Sequence, residues 1–194
     1  MRNRFHTLLA GVALAIAVSV PATAEVGLGT DVVSRYVWRG TDFGNAASVQ
    51  PWISYSTDVL EVGAWSSWAI NDGSANENDL YVSFNAGPVG ITVTDYFFPA
   101  AAPADFFDYS DDAGVHILEV SAGLDVGGLS VMGAFTILGD ADDSFWVEAS
   151  LPLAAVSSDD VEVGLTVGAG NGVYTTDTDP MVASISLDVS KDDW

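Results

Sequence analysis

The sequence predicts an all-β protein, an antiparallel up-and-down transmembrane β-barrel with about ten strands. Three observations predict this fold class. Apolar and polar residues alternate with a period of two in ten segments, a secretory leader precedes them, and the connections between them are alternately short and long. Mean hydropathy is positive (+0.31) although the formal net charge is −22, which indicates that apolar and acidic residues lie on different surfaces.

The first 24 residues have the layout of a secretory signal peptide. A basic start is followed by an apolar stretch from Leu8 to Val20 and by Ala22-Thr23-Ala24, an A-x-A-type cleavage site. The apolar stretch is shorter than the ~20 residues that a membrane-spanning helix needs, which disfavours the alternative of an anchor. We expect cleavage of residues 1–24 and one domain over residues 25–194, located in the outer membrane of a Gram-negative bacterium.

The exported part of the chain is strongly acidic. After the leader only Arg35, Arg39 and Lys191 carry positive charge, against 27 Asp and Glu, so the formal charge of residues 25–194 is −24. Phosphate binding needs clustered Lys and Arg, so we expect no nucleic acid partner. The chain contains no Cys, so disulfides cannot stabilise an exported fold.

The ten predicted strands follow from the alternation and from the turn residues between them. In 118–125, for example, Leu118, Val120 and Leu124 share one face, and Glu119 and Asp125 share the other. No helical period persists after the leader. The predicted strands cover 26–40, 48–57, 60–70, 79–87, 90–98, 114–125, 129–138, 144–152, 161–170 and 181–191.

The connections predict two unlike ends of the barrel. The even-numbered connections are mostly short, and the odd-numbered ones are longer and richer in Asp. Bacterial outer-membrane barrels have short periplasmic turns, longer outer loops and girdles of aromatic residues at the interfaces. The aromatic residues expected at the interface are Trp38, Trp68, Phe97, Phe98 and Phe145. A soluble β-sandwich remains the alternative, because it also buries one face of each strand.

Arg35 and Arg39 have the parity of lumen-facing residues in the first predicted strand. An arginine on the lipid face near the midplane costs roughly 2–4 kcal/mol, so we expect both side chains inside the barrel. There they act as counter-ions to acidic residues and, in a further interpretation, shape the charge of a permeation path. The predicted lumen-facing charged residues are Asp31, Arg35, Arg39, Glu119, Asp125, Glu148, Glu162 and Asp188.

The stretch from Asp31 to Trp68 resembles the TorF-like porin family of small exported bacterial proteins. Ser34, Tyr36, Arg39, Gly40, Gln50 and Pro51 match its early pattern, and the later "WVEASLPL" and "VEVGLTVGAGNGVY" also look familial. The resemblance spans most of residues 25–194 and implies an outer-membrane β-barrel that acts as a porin. Such proteins continue by another hairpin and end in an aromatic residue. Here Trp194 is out of phase with the last strand, so we expect either a bulge there or the loss of two closing strands from a twelve-stranded barrel.

Other chemistry has weaker signals. The Asp-rich loop with Asp140, Asp142 and Asp143 is a candidate for divalent cations, although it lacks the EF-hand pattern. His116 follows Ser110, Asp111 and Asp112, but an interface histidine is the simpler interpretation. We therefore expect neither an enzyme nor a cofactor.

The expected function is passive diffusion of small solutes or ions, with a preference for cations because negative walls raise the local cation concentration. The expected partners are outer-membrane lipid and, during biogenesis, the barrel-assembly machinery. Two alternatives stay open. One is a non-conducting surface barrel, adhesin or scaffold; the other is a soluble secreted β-sandwich that binds carbohydrate or a divalent metal.

Overall fold

A computed structural model describes residues 24–71, 76–100, 105–110, 115–158 and 160–191, and these contain twelve β-strands. The strands are β1 (Glu25–Val33), β2 (Tyr36–Trp38), β3 (Thr41–Phe43), β4 (Ser48–Ser56), β5 (Leu60–Ala69), β6 (Glu77–Ala86), β7 (Val89–Phe97), β8 (His116–Val126), β9 (Leu129–Leu138), β10 (Phe145–Pro152), β11 (Val161–Gly172) and β12 (Thr178–Lys191). Within those ranges there is no helix long and apolar enough to cross a membrane. The predicted leader and Trp194 lie outside the described residues.

Ten of the strands form one antiparallel sheet in the order β1-β4-β5-β6-β7-β8-β9-β10-β11-β12. Apart from β1 and β4, each strand pairs with the next in sequence, so the sheet is a meander. The all-β fold and the ten-stranded antiparallel sheet are confirmed. The alternation of long and short connections is also present, with short turns at 57–59, 87–88 and 127–128 and longer connections at the other end.

The two faces of the sheet are inverted relative to a soluble protein. Among the described residues only four apolar side chains are buried, against nine polar or charged ones. Soluble proteins bury apolar residues and expose charged ones. The exposed apolar side chains on one face include Leu28, Ile53, Val62, Leu80, Ile91, Leu124, Val131, Val147, Val167, Ile185, Leu187 and Val189. The opposite face carries the buried Ser48, Gln50, Ser67, Glu77, Asp79, Glu119 and Thr136.

The first predicted strand, 26–40, is wrong beyond Val33. The chain bends at Ser34, and residues 36–43 form the separate hairpin β2–β3. Trp38 pairs with Thr41, and both intervening residues have positive φ, +50° for Arg39 and +82° for Gly40. This is the geometry of a type I′ turn, which matches the twist of a two-residue hairpin. Tyr36 and Trp38 keep the parity of Val26, Leu28 and Val32, so parity in the sequence does not reveal the bend.

Hairpin β2–β3 lies against the polar face of the sheet, which curls around it. The Tyr36 ring lies 5.4 Å from that of Trp65 on β5, and the Trp38 ring lies 5.5 Å from that of Tyr96 on β7. On the far side, a Cβ on Gly40 would lie 2.9 Å from the carbonyl oxygen of Ala183 on β12. We call this polar face the concave face, because one small hairpin touches strands from β5 to β12.

The sheet is not closed into a barrel. Strands β1 and β12 are its two edges, and no register joins them in the described part of the chain. The hairpin that follows β1 directly reaches β12 through Gly40. Strand β12 contains a register shift in which Gly168 pairs with Ser184 and Ala169 pairs with Val182.

Glycines on β11 make room for Trp146, the largest fully buried side chain. A methyl group at Gly168 would overlap the Cζ2 atom of that indole, whereas one at Gly123, also on the concave face, would meet nothing closer than 3.9 Å. We expect Gly168→Ala to destabilise the fold by roughly 1–3 kcal/mol through overpacking. Gly123→Ala is the matched control and should be neutral or slightly stabilising. Denaturant unfolding followed by circular dichroism measures both, and equal midpoints for the two variants would contradict the packing of Trp146 over β11.

Candidate functional site

The tip of hairpin β2–β3 places Arg39 in a buried ion pair with Glu119 of β8. The guanidinium donates two hydrogen bonds to the carboxylate, one of them from Nη2 to Oε1 at 2.9 Å. The side chains are only 6 % and 4 % exposed. Such paired hydrogen bonds between charged groups are among the strongest in proteins. Arg39 therefore lies inside the curled sheet, with an acidic partner 80 positions away in the chain.

Aromatic residues complete the surroundings of this ion pair. The Cζ atom of Arg39 lies 4.2 Å from the ring centroid of Trp38, 5.2 Å from that of Tyr174 and 5.7 Å from that of Trp146. The Tyr96 and Tyr174 hydroxyls each donate to Glu119 at 3.2 Å. Cations are attracted to aromatic faces, more strongly where water is excluded. We call Trp38, Arg39, Tyr96, Glu119 and Tyr174 the arginine cluster.

The electrostatics of the arginine cluster keep Arg39 charged and the Tyr174 hydroxyl neutral. Burial alone lowers the pKa of Arg39, but the hydrogen bond to Glu119 and nearby negative charge outweigh it, so this pKa is raised. Burial raises the pKa of Tyr174 well above its usual value, although Arg39 opposes this shift. The cluster thus combines one cation, one carboxylate and neutral hydroxyls.

A second polar group lines the concave face beside Tyr36. Glu77 and Asp79 of β6 are 2 % and 7 % exposed, and Glu77 pairs across the sheet with the buried Ser67. The Glu77 Oε2 and Asp79 Oδ1 atoms are buried, and no hydrogen-bond partner is found for them within the described ranges. Burial, Glu77 and Asp79, in that order, raise the pKa of the Tyr36 hydroxyl. We call Glu77 and Asp79 the carboxylate pair, and the Tyr36 hydroxyl lies beside it.

The sequence analysis did not identify Glu77 and Asp79 as candidate site residues. The predicted strand began at residue 79, whereas β6 begins at Glu77. The signal was present, because Leu80, Val82 and Phe84 have the parity of the apolar face, and residues 77 and 79 have the opposite parity. Nothing in the local sequence indicated that Tyr36 would lie beside them.

Arg35 does not take the predicted internal position. Its ion pair is with Asp42 in the same hairpin, and its side chain is 51 % exposed. The two positions differ because Arg39 occupies the turn and reaches across the sheet, whereas Arg35 precedes the hairpin. Of the two arginines predicted as lumen-facing, only Arg39 meets a buried acidic partner in the described structure.

The other charged residues predicted for the lumen have the parity of the concave face but do not all meet at one site, since Asp125 and Glu148 line one hollow and the others are not part of its lining. Asp31 pairs with Gln50, Glu148 accepts a hydrogen bond from Trp146 Nε1 at 2.8 Å, and Asp188 accepts one from Thr166 at 3.2 Å. Asp125 accepts a hydrogen bond from Ser130 beside a hollow that Gly123, Met132 and Ser150 also line. Glu162 lies near the short-turn end and is exposed. These carboxylates lie nearer the short-turn end than the arginine cluster, except for Asp31.

Trp38 also departs from its predicted interface position. It belongs to the arginine cluster on the concave face. Trp68 is exposed and has the parity of the apolar face, as do Phe97 and Phe145, which are half-buried. Phe98 follows the end of β7 and donates its backbone N–H to Val115 at 3.3 Å.

His116 is buried on the apolar face, beneath residues 105–110. Its Nδ1 lies 2.7 Å from Asp95 Oδ1, and its Nε2 lies 2.8 Å from the Phe106 carbonyl oxygen. The Tyr109 ring stacks on the imidazole at 4.0 Å, and its hydroxyl also donates to Asp95. Both ring nitrogens thus face hydrogen-bond acceptors. The contact with the Phe106 carbonyl joins residues 105–110 to the sheet. Asp111 and Asp112 lie outside the described residues.

The predicted loop carboxylates are also engaged locally. Asp140 accepts hydrogen bonds from the backbone N–H groups of Asp142 at 3.1 Å and Ser144 at 2.8 Å. Asp143 has a positive φ of +48° in the same turn. No group of three or more His, Cys, Asp or Glu suited to a metal ion occurs in the described part of the chain. Asp140 therefore shapes this loop through the two backbone hydrogen bonds that it accepts.

Comparison with known proteins corrects the resemblance drawn from the sequence. The family model that matches is Gcw_chp, described as a bacterial protein of unknown function, and it covers residues 17–190. Nothing points to the TorF-like porin family, so that assignment is wrong. The shared short patterns are of a kind that many exported β-strands can produce, because alternation restricts residue choice. No curated protein matches the chain. No solved structure matches it either. Since the match spans most of the sequence, the chain belongs to the Gcw_chp family of bacterial proteins.

Proposed function

We propose that this chain is a membrane-spanning β-barrel of the bacterial outer membrane and a cation-preferring passive channel whose loop-side mouth is plugged by hairpin β2–β3. The observation that carries the proposal is the inverted sheet, with an exposed apolar face and a polar face turned inward. Outer-membrane barrels have this arrangement, with an apolar band towards lipid and a polar interior. Water-soluble sandwiches have the reverse.

Strand length and edge position are compatible with a closed barrel in lipid. Most strands of the sheet have 9 to 12 residues, β10 has 8 and β12 has 14. A tilted transmembrane strand needs about 9–11 residues. Lipid does not tolerate open sheet edges, so insertion requires β1 to pair with β12. The hairpin that follows β1 already reaches Ala183 and Ser184 of β12, which supports closure between these two strands.

The distribution of charge supports a preference of the proposed channel for cations over anions. Asp125, Glu148 and Asp188 have the parity of the concave face, and the buried Arg39 is already neutralised by Glu119. Negative walls in a narrow, low-dielectric conduit favour cations over anions. Transport would be diffusion down a gradient without a cofactor, and lipid and the barrel-assembly machinery would be the partners.

A non-conducting barrel that serves as a surface scaffold is the second candidate. The arginine cluster favours it, because Arg39 and Glu119 are buried and satisfied by several hydrogen bonds. A plug held this firmly closes the loop-side mouth at rest. The two candidates differ in whether loosening the plug opens a path for ions.

Membrane insertion predicts an unusual response to a charged substitution on β12. The Leu187 side chain is 63 % exposed, and in a soluble protein Leu187→Arg would change stability by no more than about 0.5 kcal/mol. In a barrel it would face lipid and cost roughly 2–4 kcal/mol at the midplane. We expect Leu187→Arg to reduce the amount of heat-modifiable protein in the outer-membrane fraction. Ser190→Arg, on the opposite face near the end of the strand, is the control and should leave it unchanged.

The wild-type chain in the same experiment tests the proposal directly. Unboiled samples from the outer-membrane fraction should migrate faster than boiled ones, as expected of a closed barrel that resists detergent. A soluble protein without a mobility shift, whose stability Leu187→Arg does not change, would contradict the membrane proposal. The soluble alternative would then remain.

Loosening the plug separates the channel from the scaffold. Arg39→Gln leaves Glu119 buried without its counter-ion, a change that costs roughly 3–5 kcal/mol in buried pairs. We expect larger or more frequent single-channel openings in planar bilayers for Arg39→Gln, with a reversal potential set by the cation gradient. Arg35→Gln breaks an exposed pair worth about 0–1 kcal/mol and should behave as wild type.

Heat-modifiable mobility shows first that each variant is folded. If folded Arg39→Gln and wild type are both silent, the channel proposal fails and the scaffold remains. Anion preference in an open channel would contradict the role assigned to the acidic concave face.

A further inference from the structure

We propose that Glu77 and Asp79, together with the Tyr36 hydroxyl, bind one divalent cation of the Mg²⁺ or Ca²⁺ type on the concave face. The site lies where hairpin β2–β3 packs over the start of β6. The inference goes beyond the proposed function, because it needs only the fold of these strands and holds whether or not the protein conducts ions.

The first observation is that the carboxylate pair is buried and incompletely satisfied. Glu77 and Asp79 lie two positions apart on β6, so both side chains face the concave side, and both are buried. Yet Glu77 Oε2 and Asp79 Oδ1 have no hydrogen-bond partner within the described ranges. Burying a charge without a partner is expensive, and buried charges in proteins are normally paired or bound to metal.

The second observation is that no ion pair joins this pair to a cationic side chain among the residues that the structure describes. Arg39 is bound to Glu119, and Arg35 is exposed beside Asp42. Lys191 pairs in register with Val161 at the short-turn end of the sheet, whereas Glu77 lies at the long-loop end. The remaining arginines, Arg2 and Arg4, belong to the predicted leader. A cation from outside the chain would supply the positive charge that these side chains do not.

The chemistry of the donors selects the type of cation. Two carboxylates, a phenol hydroxyl and the neighbouring Ser67 provide only oxygen ligands, which suit hard cations and not soft ones. One divalent ion balances the two carboxylate charges. Mg²⁺ in particular is commonly held by one or two carboxylates with several waters, so a group of three acidic or histidine ligands is not required.

The hairpin gives the site its enclosure. The Tyr36 side chain is buried, stacks on Phe43 at 5.1 Å and packs on Trp65, which pairs across the sheet with Asp79. An ion between Glu77, Asp79 and Tyr36 would therefore join the hairpin to the sheet wall. It would stabilise the plug beside the arginine cluster, because Asp79 pairs across the sheet with Tyr96.

Terbium luminescence tests the site on the full chain in detergent, because Tyr36 and Trp65 lie beside the carboxylates and can sensitise a bound Tb³⁺. We expect saturable emission at one ion per chain in 150 mM salt, displaced by Ca²⁺ or Mg²⁺. The near-isosteric double variant Glu77→Gln/Asp79→Asn should lose about tenfold or more in Tb³⁺ affinity, equivalent to about 1.4 kcal/mol or more. Asp125→Asn removes a carboxylate at the short-turn end and is the matched control with unchanged affinity.

A thermal measurement with Ca²⁺ and Mg²⁺ gives an independent readout. A cation that binds only the folded state raises its melting temperature, so at least one of the two ions should stabilise wild type and Asp125→Asn but not the double variant. The double variant replaces two charges by neutral amides, so we expect it to fold, as heat-modifiable mobility or circular dichroism would show. No saturable emission in wild type, or equal affinity in the double variant, would overturn the proposal. In that case the two carboxyl groups share a proton, or Tb³⁺ binds the exposed acidic loops.

Discussion

The ion pair between Arg39 and Glu119 is the interaction that allows a hairpin to occupy the inside of this sheet. A sheet with an apolar outer face turns its polar side chains inward, and in an acidic chain many of these are carboxylates. Arg39 is the one cation that the described structure places among them in a buried position. Because its guanidinium also contacts Trp38, Tyr174 and Trp146, one side chain joins the hairpin to β8, β10 and the connection after β11.

The inversion of the two faces explains most other features of the fold. Small residues on the concave face, such as Gly168, leave room for the few large side chains that fill it, above all Trp146. The hairpin fills the loop end, and the short-turn half keeps a hollow lined by Gly123, Ser130 and Ser150. The interior is therefore asymmetric along the strands, with a packed end and an emptier end. This asymmetry supports a plugged conduit more than a uniformly filled barrel.

The concave face contains two acidic centres with different charge balance. Glu119 has a guanidinium and two tyrosine hydroxyls as partners, so its charge is compensated within the chain. Glu77 and Asp79 lie beside the Tyr36 hydroxyl, which carries no positive charge. Both centres contact the same hairpin, and they adjoin each other, because Asp79 pairs across the sheet with Tyr96 of the arginine cluster. A bound cation would supply the second centre with the positive charge that Arg39 supplies to the first.

Alternation along the sequence was sufficient to predict the strands of the sheet, their number and the side of most acidic residues. The reason is that the two faces differ in polarity along most of the strands, so a strand shows its parity locally, as Leu118 and Glu119 do in β8. The pattern did not reveal the bend at Ser34, because Tyr36 and Trp38 keep the parity of the first strand although they lie in a separate hairpin. Only the tertiary structure decided that Arg39 meets Glu119, 80 positions away, and that Tyr36 meets Glu77 and Asp79. Those contacts depend on how tightly the sheet curls and where the hairpin enters it, and no local pattern in the chain encodes either distance.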